Sequence, residues 1–136
     1  LRNTEGGEFA KAELLSRFDH YALESQLVPA AVRAFADRDT DALGETAGRS
    51  QSAAEQLLGN QTPEISTLAR EARKLGAIAA SSFGAGFGGS VWAIVPRTEA
   101  RRFMENWRAA YGRAFPALAP AATVFTTAAG PSIIAI

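Results

Sequence analysis

Phe83-Gly84-Ala85-Gly86-Phe87-Gly88-Gly89-Ser90 is the stretch whose reading decides the fold of this chain. Four glycines fall within the six positions 84–89. Glycine loses more backbone freedom on folding than any other residue, so this density marks positive φ angles or close approach to another surface. Small residues with bare N–H groups can also form a concave nest for an anion such as phosphate. A glycine-rich hairpin with nothing bound is the other reading, and composition does not choose between the two. Two named phosphate patterns fail here. No Lys-Ser/Thr pair follows the glycines, and the stretch leads into a strand where a dinucleotide fingerprint would open a helix.

On either side of the glycines the character is that of strands. Ala77–Ser82 is small and uncharged, while Val91-Trp92-Ala93-Ile94-Val95 is apolar at every position. The spacing predicts two strands joined across the loop, the second buried on both faces. Downstream, Arg97–Phe115 has a helical apolar stripe through Phe103, Met104, Trp107 and Tyr111, with Arg101, Arg102, Glu105 and Arg108 opposite. Val124–Thr127 and Ser132–Ile136 read as two further short strands linked by Ala129-Gly130-Pro131.

Upstream the pattern is helical. Leu14, Phe18, Tyr21, Ser25, Val28, Val32 and Phe35 recur in steps of three and four, predicting a first helix with one apolar face. Pro29 inside that run predicts a kink or break near Ser25–Val28. A second helix is expected after Asp39-Thr40-Asp41, along Leu43, Ala47, Ser50, Ala54 and Leu57, ending at Gly59-Asn60. A third is bounded by Thr62 as cap, Pro63 in the first turn, and Gly76 as stop. Strands that follow one another without a helix between each pair argue for an antiparallel sheet backed by helices, an α+β fold. Residues 1–8 read as a linker or frayed terminus and 9–136 as one domain.

The bulk numbers bound function. At 136 residues with 47% hydrophobic content the chain can bury a core, and it has no cysteine to staple one. The absence of cysteine and of a signal-like segment points to a cytoplasmic setting. No apolar run approaches the roughly 20 residues needed to cross a bilayer. Fourteen basic and fourteen acidic side chains cancel, which argues against nucleic-acid or anionic-membrane partners. The chain opens on Leu1, leaving open whether it is part of a longer polypeptide.

Gly84-Ala85-Gly86-Phe87-Gly88-Gly89 running into an apolar strand closely resembles the third conserved motif of the GHMP kinases. Two more landmarks agree with that family and its galactokinase-like members. Thr62-Pro63-Glu64-Ile65 with Leu68 resembles the Pro-Glu-Leu helix that precedes the motif, and Arg17, His20 and Glu24 resemble the Arg-x-x-His-x-x-x-Glu helix that opens the C-terminal half. The likeness covers roughly residues 9–136. It implies a ferredoxin-like, four-stranded antiparallel sheet backed by helices, with extra helices at the N-terminal side.

The resemblance also implies an ATP-dependent transfer to a sugar hydroxyl, with Mg as the partner ion of ATP. The site residues it implies are Gly84, Ala85, Gly86, Phe87, Gly88 and Gly89, with Ser82 alongside, all substrate- or phosphate-binding and none catalytic. The family's phosphate-wrapping Gly-Leu-Ser-Ser-Ser loop and its catalytic groups belong to an N-terminal kinase domain absent from this sequence. The isolated chain is therefore expected to be inactive. Within the motif's approach the sequence departs from the family, with Ser81 at a usually basic position and Phe83 at a hydroxyl position. A stand-alone ligand-binding module, or a kinase relative without turnover, is the alternative.

Other residues have plainer readings. His20, the one histidine, reads as structural or surface. One histidine and no cysteine give no support for a metal centre. Trp92 and Trp107 read as core, and Ser81, Ser82 and Ser90 have no paired base that would make a nucleophile.

Overall fold

The computed structural model describes residues 10–128. Four α-helices, α1 (Lys11–Asp37), α2 (Thr40–Ala53), α3 (Pro63–Lys74) and α4 (Ala100–Ala114), surround an antiparallel pair, β1 (Ala79–Phe83) and β2 (Ser90–Ile94). The α+β class thus holds. A π-helical turn, Ala54–Leu58, extends α2, and a short 3-10 turn, Ala119–Ala121, follows α4.

The local signals for α2 and α3 act as their chemistry dictates. The Asp39 carboxylate accepts from the N–H groups of Asp41 at 3.1 Å and Ala42 at 2.9 Å. Thr62 accepts from Ile65 N–H at 3.5 Å at the start of α3. Such caps satisfy donors that have no partner within the helix.

Pro29 does not break α1, which runs unbroken through it. Proline removes the bond to the carbonyl four residues earlier, that of Ser25. Ser25 and Pro29 both lie on the exposed side, where water can take that carbonyl. The apolar face of α1 is turned outward. Phe18, Tyr21, Val28, Val32 and Phe35 are exposed, and α1 instead packs through Leu27 and Ala34, one helical position away.

The sheet is narrower than expected. β1 pairs β2 from Ala79↔Ile94 to Phe83↔Ser90, and among the described residues no third strand joins them. Val124–Thr127 forms no ladder, although Val124 packs on the core. The expected strand Ser132–Ile136, the turn 129–131 and the terminal segment 1–8 lie outside the described residues. Burial is reversed between the strands as well. Ala79, Ala80 and Ser81 of β1 are buried, while Val91–Ile94 of β2 are half-buried. β1 is the strand held between helices, with Ala79 packed among Ala34, Leu43 and Ala47 on one side and Ala80 among Ala72, Phe103 and Trp107 on the other. The Trp107 indole N–H donates to the Leu68 carbonyl at 2.9 Å, tying α4 to α3.

Candidate functional site

The loop 84–89 leaves the end of the β1–β2 pair, closed by the Phe83↔Ser90 register. Gly84, Gly86, Gly88 and Gly89 have φ of 79°, 80°, 118° and 99°, and Phe87 shares the left-handed region at 59°. The glycine density therefore does mark positive φ. Phe87 is a strained position for a side-chain-bearing residue, and its ring stands in solvent.

The loop is fastened from one side by Asn60. The Phe87 N–H donates to the Asn60 carbonyl at 2.5 Å, and Asn60 Nδ2 donates to the Ala85 carbonyl at 2.8 Å. Asn60 itself is buried, and Gln61 Nε2 donates to its side-chain oxygen at 2.8 Å. Gln51, also buried, continues the chain of bonds, donating to Gln61 Oε1 at 3.3 Å and to Glu55 Oε1 at 2.9 Å. Its own Oε1 accepts from Ser81 Oγ at 3.0 Å and from the Ser82 N–H at 2.8 Å. The helical layer thus grips both the last residues of β1 and the loop beyond them.

Among the sequence-predicted residues, Gly84, Ala85, Gly86, Phe87, Gly88 and Gly89 form one contiguous bend, and Ser82 lies in β1 beside it. Among the described residues no hydrogen bond takes up the N–H groups of Gly88 and Gly89. Two open grooves mark the surface elsewhere, one along Leu23, Gly48, Ser52 and Leu57, the other along Arg108, Gly112 and Pro116. The glycine loop lines neither of them. It is a backed, exposed wall without an opposing wall among the described residues.

Ser81, the position that departs from the resemblance by lacking a cation, is buried against Gln51, whereas Phe83 is exposed. Arg17, His20 and Glu24 sit on α1; Glu24 lies on the flank of Leu27, with one carboxylate oxygen closed off from solvent and without a donor among the described residues. Sequence reasoning missed Gln51 and Asn60. Gln51 was findable, because it continues the Leu43–Ala47 register as a polar residue on an apolar face. Asn60 carried no comparable signal beyond following a helix-stopping glycine.

Residues 31–113, which include α2, α3, both strands and the loop, match the family described as GHMP kinases C terminal. The chain belongs to that family. A galactokinase of Mycobacterium tuberculosis (strain ATCC 25618 / H37Rv) is 34% identical over 94 residues, which is 69% of this chain and 26% of the galactokinase. A galactokinase of Mycobacterium bovis (strain BCG / Pasteur 1173P2) matches to the same extent, 34% over 94 residues. The crystal structure of Lactococcus lactis galactokinase complexed with galactose superposes with a TM-score of 0.72 at 27% identity, covering 84% of this chain and 29% of that one. This GHMP kinase C-terminal chain therefore spans about a quarter of the length of the curated relatives it matches. Among the described residues no helix is long and apolar enough to cross a membrane.

Proposed function

We propose that this chain is the C-terminal part of an ATP-dependent sugar kinase of the galactokinase kind, working in the cytoplasm, and that its glycine loop is one wall of the ATP and sugar site. The observation that carries this reading is the loop itself: a bend of main chain in left-handed φ, held from behind by Asn60 and open in front. The family match and the galactokinase likenesses support it.

The bound nucleotide would supply the γ-phosphoryl group. This chain's residues supply positioning. Gly84, Ala85, Gly88 and Gly89 lack bulk that would hold phosphates or sugar away from the backbone, Gly86 lets the loop seat on Asn60, and the N–H groups of Gly88 and Gly89 can donate to a ligand. Phe87 immediately precedes these donors, and Ser82 anchors the approach through the bond from its N–H to Gln51. The residues present therefore fit a phosphate-bearing ligand. Magnesium, the partner ion of ATP, would be carried chiefly by the nucleotide phosphates and water; among the described residues no group of three His, Cys, Asp or Glu side chains is placed to hold a metal ion by itself.

The fuller ferredoxin-like sheet of four strands belongs to the same reading. Both strands keep an unpaired edge among the described residues, and Val124 packs against the same buried cluster as Val91 and Val95. A second reading, a kinase relative that binds without turnover, draws on Ser81 and Phe83 in place of the family's basic and hydroxyl residues.

The deciding experiment is ATP-dependent phosphorylation of galactose by the intact protein, with Gly86→Val beside the wild type. The expected result is turnover by the wild type and a fall of about a hundredfold or more in the variant, as expected when a positioning element is displaced. Unchanged turnover in Gly86→Val would remove the loop from the site. A wild type that binds ATP yet phosphorylates no sugar would favour the second reading.

A further inference from the structure

Three side-chain amides from the helical layer stand head to tail beside the glycine loop. The Ser82 N–H donates to Gln51 Oε1 at 2.8 Å, and Gln51 Nε2 donates to Gln61 Oε1 at 3.3 Å. Gln61 Nε2 donates to Asn60 Oδ1 at 2.8 Å, and Asn60 Nδ2 donates to the Ala85 carbonyl at 2.8 Å. This relay leaves the backbone at residue 82 and returns to it at residue 85, bridging the point where β1 gives way to the loop. Its two ends fix its direction. A backbone N–H only donates and a carbonyl only accepts, so no amide between them can turn over without setting like groups against each other. Gln51 is fully used, since its second Nε2 proton goes to the Glu55 carboxylate at 2.9 Å and its Oε1 also accepts from Ser81 Oγ at 3.0 Å.

Packing holds little of the loop. Among the described residues a Cβ built at Gly84, Gly88 or Gly89 would meet nothing within 4 Å, and the Phe83 and Phe87 rings are exposed. Its seat is Asn60, through the Ala85 carbonyl, the Phe87 N–H and the close approach of Gly86. Asn60 in turn keeps its amide orientation through Gln61. A carboxamide released from Gln61 is free to rotate half a turn, which points Oδ1 at the Ala85 carbonyl and breaks that bond. A polar network satisfied along its whole length rigidifies what it touches, and the effect goes when one member is removed.

We propose that Gln61 is a positioning residue for phosphate. It reaches the loop only through Asn60, and so sets the bend from which the Gly88 and Gly89 N–H groups are presented to the phosphates of a nucleotide. The proposal rests on the reading of the loop as a wall of the ATP site. Phosphate affinity then depends on a half-buried side chain that meets neither the phosphates nor the loop. Gln61→Met keeps a side chain of similar length and adds no charge, while removing both the donor and the acceptor. A change in phosphate affinity in this variant is therefore not charge repulsion.

The test titrates the intact wild type and Gln61→Met with ATP, tripolyphosphate and adenosine by isothermal titration calorimetry. The expected result is a loss of about tenfold or more in affinity for ATP and tripolyphosphate, the size of a charge-assisted hydrogen bond, with adenosine affinity unchanged. Asn60→Ala, which removes the donor to Ala85 directly and is also neutral, takes the place of Gln61→Met should that variant fail to fold. Circular dichroism checks the fold of each. Phosphate affinity equal to wild type in a folded variant overturns the proposal. So does an equal loss for adenosine, the mark of a general structural defect. Galactose phosphorylation is followed in the same preparations. Wild-type turnover with unchanged ATP affinity in the variant removes the role of Gln61 and leaves the kinase reading standing. Tripolyphosphate binding that falls in the variant, in a protein that phosphorylates no sugar, does the reverse. A wild type that binds no phosphate compound overturns both.

Discussion

Gly86 lies against Asn60 so closely that a Cβ built on its backbone would sit 2.5 Å from the Asn60 carbonyl oxygen and 2.9 Å from its Cγ. The two residues are 26 positions apart in sequence, yet this contact sets how far the loop can approach the helical layer. Gly86→Ala is expected to cost about 1–3 kcal/mol through the clash and the left-handed φ together. Equilibrium urea unfolding would measure it, with far-ultraviolet circular dichroism showing the helices retained. A variant as stable as the wild type would mean that the loop is not seated on Asn60.

Gln51 is the buried centre to which strand and loop are tied. Replacing it with Ala leaves the Ser82 N–H and the Ser81 hydroxyl without their acceptor. A buried donor left unpaired costs about 1–3 kcal/mol, as at Ser81, and a half-buried one such as the Ser82 N–H about 1, so Gln51→Ala should lower unfolding free energy by about 2–4 kcal/mol. The denaturant midpoint should fall with little change in slope.

Gly44 marks a second close approach. It is buried on α2, and a Cβ there would meet the Ile78 carbonyl oxygen as well as the Arg73 guanidinium, which donates to that same carbonyl. Overpacking at such a site typically costs about 1–3 kcal/mol, and Gly44→Ala should show a loss of that order in thermal unfolding. Gly48→Ala on the same helix, where a Cβ meets nothing within 4 Å, is the matched control and should be neutral or slightly stabilising.

Two glutamates on α3 give the domain a shallow acid dependence. The Thr62 hydroxyl hydrogen bond, and then backbone hydrogen bonding, hold the Glu64 carboxyl below the ordinary 4.5. The Lys74 hydrogen bond, aided by nearby cations, lowers Glu71 in the same direction. A carboxyl depressed in the folded state contributes stability that is present above its unfolded value and lost as pH falls through its folded one. Melting temperature should therefore fall as pH is taken below 4.5, and fall less in Glu64→Gln/Glu71→Gln. An identical pH profile in that variant would remove these two groups as the cause.

Much of this molecule is fixed by short-range chemistry and is legible in the order of its amino acids. The bounds of α2 and α3 follow from Asp39, Thr62 and Pro63, whose effects act within one helical turn. The glycine loop is legible because positive φ is a property of single residues. What the chain packs against is not legible in that way. The α1 stripe and its buried flank are separated by one helical position, and periodicity cannot say which of two adjacent apolar lines meets α2. Nor can a run of apolar residues reveal that β1, not β2, is the strand enclosed by helices.

The tie between Asn60 and the loop, and the place of Gln51 beneath Ser81 and Ser82, were likewise decided by the tertiary fold. A hydrogen bond between residues 25 or 30 positions apart depends on where two backbones meet, and no local pattern encodes that meeting. Sequence by itself determined the elements and the bend. The assembled core decided which faces those elements bury against one another and which they leave exposed.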